Sequence, residues 1–332
     1  MIVNGEFSFI HSLLAHRQIQ TNRIEVDVGD DAAVVVPHPN RSLVMTCDTM
    51  VETIHFLRET MQPFDIGWKL LASNLSDIAA MGGVPTYALV SVAVPPSWAL
   101  AEIEEIYHGI YTLANQYQVT IMGGDTVKAP SDLTLTITLL GEIEHGQALL
   151  RSSAKPGDIV FVSGVLGDSA AGLHLLLNHP TKTEHFPKLV AAHCRPQPQI
   201  EIGRKLVETG FRLTCDDISD GLAQEAWEIA RASQVAIVLD KDKIPLSHSM
   251  VQFAKKVQKD PYEWVWFGGE DYQLIGTVSQ ENWVKLKQMA KELGFCLTRI
   301  GHIETGEPTV KVNLGGTCMT LPQGGYNHFA DR

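Results

Sequence analysis

The stretch that most constrains this chain is Asn74-Leu75-Ser76-Asp77-Ile78-Ala79-Ala80-Met81-Gly82-Gly83, the close of an apolar run that begins near Pro63. Ile66, Leu70, Leu71, Leu75, Ile78 and Met81 recur at steps of three and four residues, which puts them on one buried face of a helix. Gly82-Gly83 then supplies the left-handed residue that ends such a helix. Asp77 is the anomaly, with Asn74 one turn before it on the same side. A carboxylate in the last turns meets the negative end of the helix dipole, and burying it is unfavourable unless a cation or hydrogen bonds offset the loss. The position predicts something positive over Asp77, against the plainer alternative of an exposed surface acid.

A chain of 332 residues holds one large domain or two ordinary ones. Its hydrophobic fraction of 45% and charged fraction of 19% exclude a disordered or fibrous protein. A formal net charge of −12 argues against a general nucleic-acid binder. It leaves a phosphate ligand open, because bound divalent cations reverse the local sign. The cysteines at 47, 194, 215, 296 and 318 form no CxxC pair and are odd in number, as expected of reduced thiols. Glu6 and two histidines interrupt the apolar pattern of the first residues, unlike a signal peptide, and no apolar run is long enough to span a membrane. The expectation is a soluble, cytoplasmic protein with no membrane partner.

Residues 6–18 predict a short amphipathic helix with Phe7, Ile10, Leu13 and Leu14 on one face. In Gly29-Asp30-Asp31, before a valine-rich strand, adjacent acids point to opposite sides, so one of them faces any shared site; a plain turn is the alternative. Ser42 to Thr49 is an apolar strand running out into Thr46, Cys47 and Asp48, and strand ends are where open sheets place ligand groups. His55, between Ile54 and Phe56, reads first as a partly buried core histidine. Tyr87 to Val94 is a strand and Leu100 to Tyr117 a helix with Ile103, Ile106, Tyr107 and Ile110 in step. Val119 to Thr126 is a strand whose Gly123-Gly124 allow close approach of backbone or phosphate, with Asp125 placed to hold a metal. Leu133 to Ile143 alternates as a strand.

Glycine, proline and small polar residues cluster around 141–157 and predict a junction between domains 1–145 and 146–332. Beyond it, Gly164 to Leu173 is a glycine turn opening a helix whose N-terminus suits an anion, although it matches neither a dinucleotide fingerprint nor a P-loop. Pro196 to Gly210 holds a helix ended by glycine. Asp216, Asp217, Ser219 and Asp220 crowd the segment before the next helix, more acids than capping explains. Trp264 to Leu274 reads as strand-like, with a Gly268-Gly269-Glu270 break.

Asp31, Asp48, Asp77, Asp125, Asp217 and Asp220 each sit beside glycines or small residues near the end of an apolar element. Carboxylates without a matching His/Cys set suit hard cations, chiefly Mg²⁺, which bridges protein carboxylates to substrate phosphates. No Ser/His/Asp motif, GxSxG or reactive-cysteine context competes. The set predicts a Mg²⁺-dependent phosphoryl-transfer enzyme.

Taken together, the motifs resemble one family. They are Gly29-Asp30-Asp31-Ala32-Ala33, Thr46-Cys47-Asp48-Thr49, Asn74 to Gly82, Gly123-Gly124-Asp125-Thr126 and Arg151-Ser152-Ser153-Ala154-Lys155-Pro156-Gly157-Asp158. Gly167 to Leu173, Ile218-Ser219-Asp220-Gly221-Leu222, Gly268-Gly269-Glu270-Asp271-Tyr272 and Gly325-Tyr326-Asn327-His328-Phe329 follow in order over nearly the whole chain. This series is similar to the bacterial thiamine-monophosphate kinases, within the aminoimidazole-ribonucleotide synthetase-like ATP enzymes.

The resemblance implies an α/β (α+β) protein of two domains. In the first, a mixed sheet with helices pairs with a second copy in a barrel-like homodimer interface; the second is an α/β domain completing the nucleotide and substrate site. It implies direct in-line transfer from ATP to thiamine monophosphate, with no covalent nucleophile. Mg²⁺ would be held by Asp31, Thr46, Cys47, Asp48, Asp77, Asp125, Asp217 and Asp220. ATP would meet Tyr107, Gly124, Arg151 and Ser219; thiamine monophosphate would meet His55, Glu270 and Tyr326, whose ring suits a cationic thiazolium.

Two positions depart from the family pattern. Cys47 stands where a hydroxyl residue is usual, and a thiol is a poor Mg²⁺ ligand, which leaves the backbone carbonyl. Tyr326 stands where Trp is also expected. Related synthetases are the alternatives, but the expected cysteines of selenophosphate synthetase, near the N-terminus, and of the hydrogenase-maturation relative, at the C-terminus, are missing, and the purine cyclo-ligase would not carry the Gly-Tyr-Asn-His-Phe ending. A non-catalytic nucleotide-binding scaffold is the alternative from another class; retention of the acids argues against it.

Overall fold

The computed structural model describes residues 12–14, 16–28 and 32–326. Asp31, most of the helix expected over 6–18 and the closing Asn327-His328-Phe329 lie outside the described residues. The chain divides into two compact units, Met1–Ile78 with Gly83–Gln147, and Ala79–Gly82 with Ala148–Arg332.

In the first unit β1 (Ile24–Val26) pairs with β2 (Val34–Val35), and a four-stranded sheet forms from β3 (Arg41–Val51), β4 (Val84–Val94), β5 (Thr120–Lys128) and β6 (Thr134–Glu144). Its order is β3-β6-β4-β5; only β4 and β5 run parallel, joined through a helical crossover. Helices α1 (Pro63–Ala80) and α2 (Leu100–Gln116) supply the apolar cover. The expected helix is present and ends as foreseen, with Gly82 at φ +72°. Its burial exceeds the expectation of one apolar face. Trp68, Lys69, Asn74 and Ser76 are buried as well, so α1 runs as a central helix enclosed nearly all round. Glycine is what lets α2 reach it. A Cβ at Gly67 would fall 1.8 Å from the Ile106 carbonyl oxygen, and one at Gly109 would fall 2.0 Å from that of Phe64. The helices therefore cross backbone to backbone.

In the second unit β7 (Ile159–Ser163), β8 (Leu213–Asp217), β9 (Ala236–Asp240), β10 (Leu274–Val278), β11 (Leu297–Glu304), β12 (Thr309–Leu314) and β13 (Thr317–Thr320) make one sheet. Its order is β13-β12-β9-β11-β7-β10-β8, antiparallel except for β12 with β9. Helices α3 (Asp168–Asn178), α4 (Pro187–Cys194), α5 (Ile200–Glu208), α6 (Leu222–Ser233), α7 (His248–Val257), α8 (Pro261–Phe267) and α9 (Gln280–Glu292) connect it. Val160, Ile237, Ile275, Leu222, Ile229 and Phe253 meet in the core, where Phe253 stacks on Trp264 with centroids 5.6 Å apart. The strand-like reading of Trp264 to Leu274 is corrected here. Trp264–Phe267 belongs to α8, which Asp260 caps by accepting the Tyr262 N–H, and the strand starts only at Leu274. A short apolar run carries no periodicity that separates the two states.

Candidate functional site

The first unit presents its acids on two sides of one sheet. Along β3 the alternation sends Leu43, Met45, Cys47 and Thr49 to solvent and Thr46 and Asp48 towards α1. There the Thr46 hydroxyl donates to Asp77, and the Asn74 side-chain oxygen accepts the Asp48 N–H at 3.2 Å. Asn74 also donates to the Leu70 carbonyl at 2.9 Å, which fixes its amide. Burial pushes the Asp48 carboxyl above its ordinary range, opposed by a hydrogen bond with Ser73. The Thr46 hydroxyl is thus one partner of Asp77, with Asp48 anchored beside it through Asn74.

Asp125 lies elsewhere. Register places Asp48, Ile137, Val90 and Gly124 in one row, and Thr49, Thr136, Ser91 and Asp125 in the next. Asp125 is exposed on the outer face at the far strand, about 14 Å across the sheet from β3 at the usual strand spacing. Cys47 is exposed on that outer face too, with its sulfur 3.5 Å from the Thr138 hydroxyl, so its thiol points away from Asp77. A cavity of about 640 Å³ opens in this unit and brings together Tyr87, Tyr107, Ile121, Gly123, Gly124 and Asp125. Gly124 is obligatory in its wall: at φ +156°, an added Cβ would lie 1.7 Å from the Val90 carbonyl oxygen. His55 is set apart, on the turn after β3, where its Nδ1 accepts the Val51 N–H at 2.9 Å.

In the second unit the acids crowd together. Asp216 and Asp217 end β8, both buried, and Glu225 is buried one turn into α6. Glu225 accepts the Asp220 N–H at 3.1 Å and faces the Ser219 hydroxyl at 3.5 Å. Arg151 Nε lies 2.7 Å from the buried Asp216 Oδ2, an ion pair in the interior of the unit. Burial first, then the Asp216 and Asp217 charges, pushes Glu225 far up; burial likewise raises Asp216 against the pull of Arg151. More negative charge is enclosed than Arg151 balances, the situation that a hard cation relieves. Asp158 of the Arg151–Asp158 motif is structural, holding Arg212 through two hydrogen bonds of 2.7 Å.

The Gly268–Tyr272 segment is tied to these acids. Glu270 N–H donates to the Ser219 carbonyl at 2.7 Å and Tyr272 N–H to that of Ile218 at 2.9 Å. Glu270 and Tyr272 have φ of +65° and +49°, a conformation that the pairing enforces. Between them Asp271 is buried and accepts the N–H groups of Gly167 at 2.6 Å and Ser169 at 3.3 Å. The helix N-terminus read as an anion site is therefore filled by the chain's own carboxylate. Buried His193 stands 3.4 Å from Glu270 and 3.3 Å from the Ser169 hydroxyl. Tyr326 is 45% exposed, and a Cβ at its neighbour Gly325 would meet the Asp220 carbonyl oxygen at 2.5 Å, so the tail reaches the same acids.

Each unit thus gathers part of the expected set. Thr46, Asp48 and Asp77 come together in one; Arg151, Asp217, Ser219, Asp220, Glu270 and the approach to Tyr326 come together in the other. Among the described residues no three His, Cys, Asp or Glu side chains form a ready metal cage. Glu225 and His193 carry no signal in the sequence, and Asp216 and Asp271 stand there only within their motifs, with no role assigned to either. Adjacent Asp216-Asp217 was the one available signal; the others depend on pairings far apart in the chain.

Residues 29–143 match the family of AIR synthase related proteins, N-terminal domain, and residues 155–313 match AIR synthase related proteins, C-terminal domain. The chain is 44% identical to the thiamine-monophosphate kinase of Bacillus subtilis over 331 residues, covering 98% of this chain and 99% of that one. Among solved structures, the thiamine-monophosphate kinase of Stenotrophomonas maltophilia K279a superposes with a TM-score of 0.81 at 36% identity, over 92% of this chain and 95% of that one. AaThiL complexed with AMPPCP and TMP gives 0.78 at 34% identity, over 98% and 97%.

Proposed function

The chain belongs to the thiamine-monophosphate kinases of the AIR synthase related family, and from that premise we propose that it transfers the γ-phosphate of ATP to thiamine monophosphate, yielding thiamine diphosphate and ADP. The observation that carries this reading is 44% identity to a thiamine-monophosphate kinase along 98% of the chain.

The transfer is in line and direct, with substrate positioning and charge neutralisation in place of a covalent nucleophile. Tyr107 and Gly124, together in the wall of the 640 Å³ cavity, support nucleotide binding by the first unit. Arg151 and Ser219 contribute from the second. Glu270, held in a strained turn, His55 and the half-exposed Tyr326 bind thiamine monophosphate; a carboxylate and an aromatic face suit its cationic ring.

The residues that would hold Mg²⁺ are Asp31, Thr46, Asp48, Asp77, Asp125, Asp217 and Asp220, with Cys47 limited to its backbone carbonyl. The crowded carboxylates around buried Asp216, more than Arg151 alone offsets, and the Thr46–Asp77 pair fit a hard, oxygen-seeking cation. When bound, Mg²⁺ neutralises phosphate charge. Two copies pair through the outer face of the four-stranded sheet, where Leu43, Met45, Leu89 and Val127 form an exposed apolar set. Among the described residues no helix is long and apolar enough to cross a membrane, in keeping with a cytoplasmic enzyme.

The test is ADP release from Mg-ATP with thiamine monophosphate, with the product identified by chromatography. Thiamine diphosphate equal to the ADP released is expected. ADP release without diphosphate, or no release, would hand the activity to another class of synthetase in the family.

A further inference from the structure

After β13 the chain leaves the second sheet and lies along α6. Leu321 N–H donates to the Val310 carbonyl at 2.9 Å, and the Trp227 indole N–H donates to the Leu321 carbonyl at 3.0 Å. The helix then grips a second point of the tail. Gln224, Trp227, Glu228 and Arg231 follow at steps of three and four residues, one stripe of α6 at the rim of its buried face. Arg231 donates to Gln323 Oε1, Gln323 donates to Gln224 at 3.2 Å, and Gln224 donates to Glu228 at 2.9 Å. Glu228 lies 3.7 Å from Arg231, which closes the ring of contacts, and the guanidinium sits 5.3 Å from the centre of the Trp227 ring. Between this ring and Tyr326 stand two glycines. A Cβ at Gly324 would meet the Phe267 ring at 3.0 Å, and one at Gly325 the Asp220 carbonyl oxygen at 2.5 Å. Close seating of the tail thus requires the residue type with most backbone freedom to lose.

We propose that Gln224, Glu228 and Arg231 form with Gln323 a latch that seats the tail before substrate arrives, which makes them positioning residues for Tyr326. The inference rests on the reading of Tyr326 as a contact for thiamine monophosphate. Two consecutive glycines that are not fixed upstream would let the Tyr326 ring sample many positions, and ordering them when the substrate binds would cost affinity. The latch meets that cost in the folded protein, so the aromatic face is preorganised for a cationic ring. Its side chains act through the tail backbone and need no contact with the substrate. Arg151 and Ser219, the residues assigned to ATP in this unit, lie outside the Gln224–Glu228–Arg231–Gln323 ring, so the latch favours one substrate over the other.

Arg231→Met keeps an apolar stem against Trp227 and removes the donors, and ¹⁵N relaxation of the full-length protein reads the result. The Gly324 and Gly325 amides should have order parameters of about 0.85 in the wild type and below about 0.6 in the variant. Low values already in the wild type, or high values retained in Arg231→Met, would overturn the latch and leave the kinase reading standing. Kinetics supply the second arm. Arg231→Met and Gln323→Ala should each raise KM for thiamine monophosphate about fivefold, with kcat and KM for ATP unmoved. The double variant should be no worse than either single one, because one linkage is broken in all three. Gln323→Glu, which still accepts from Arg231, should recover most of the affinity. Additive losses, an equal rise in KM for ATP, or loosened glycines with KM for thiamine monophosphate unmoved would each sink the positioning role. A wild-type protein that makes no thiamine diphosphate would sink the kinase reading and the substrate named here, while the relaxation data would still decide the latch.

Discussion

Asp77 stands in the last turn of α1 with the Thr46 hydroxyl on its carboxylate and Asp48 anchored through Asn74 beside it. The helix dipole disfavours its charge, so its proposed use is to hold a cation. Asp77→Asn keeps the volume and removes the charge. It should lower kcat by on the order of 100-fold with an unchanged circular dichroism spectrum; near-wild-type turnover would place Asp77 outside the metal site. Asp271 makes a different prediction. Burial pushes its carboxyl up to about 7, against the pull of the Gly167 and Ser169 N–H groups. A raised carboxylate pKa means that the folded state holds a proton which the unfolded state has released. The stability from this group is present below about pH 4 and is lost as the pH climbs through about 7. The stability advantage of the wild-type over Asp271→Asn should shrink across that window in denaturant titrations. An advantage that grows with pH would mean that the helix N-terminus, and not burial, governs the group.

At the scale of elements, the contact of α1 with α2 depends on two side chains being absent. With 1.8 Å and 2.0 Å from would-be Cβ atoms to carbonyl oxygens, nothing larger than glycine fits at Gly67 or Gly109. Gly109→Ala should destabilise the fold by about 3 kcal/mol or more, since the helices must separate or bend, as read by chemical denaturation. A loss under about 0.5 kcal/mol, the level of an innocuous surface change, would show that the crossing relaxes freely. The same scale explains what was legible. The helix from Pro63 and its glycine stop were readable because helical periodicity and a left-handed terminator are local properties. Trp264–Phe267 was not, because a four-residue apolar run fits a strand and a helix equally, and the Asp260 cap that decides it depends on the Asp side chain meeting the Tyr262 N–H.

For the whole molecule, the outer face of the first sheet is the feature that a single chain leaves unexplained. Leu43 and Met45 are 52% and 68% exposed on an edge strand. Met45→Glu should convert the proposed dimer to monomer in light scattering while the secondary structure persists; an unchanged mass would place the dimer contact elsewhere. By itself the sequence determined the family, the kinds of elements and the identity of the acids, because motifs, hydrophobic period and turn residues are written along the chain. The tertiary structure alone decided which of those acids meet. Strand register put Asp48 and Asp125 on opposite faces of one sheet, and a pairing across 104 residues put Asp271 into the helix terminus that seemed open to phosphate. Burial likewise turned Glu225 from an ordinary helix acid into part of a crowded carboxylate cluster. Each of these depends on what the rest of the chain brings alongside, and no local pattern carries that information.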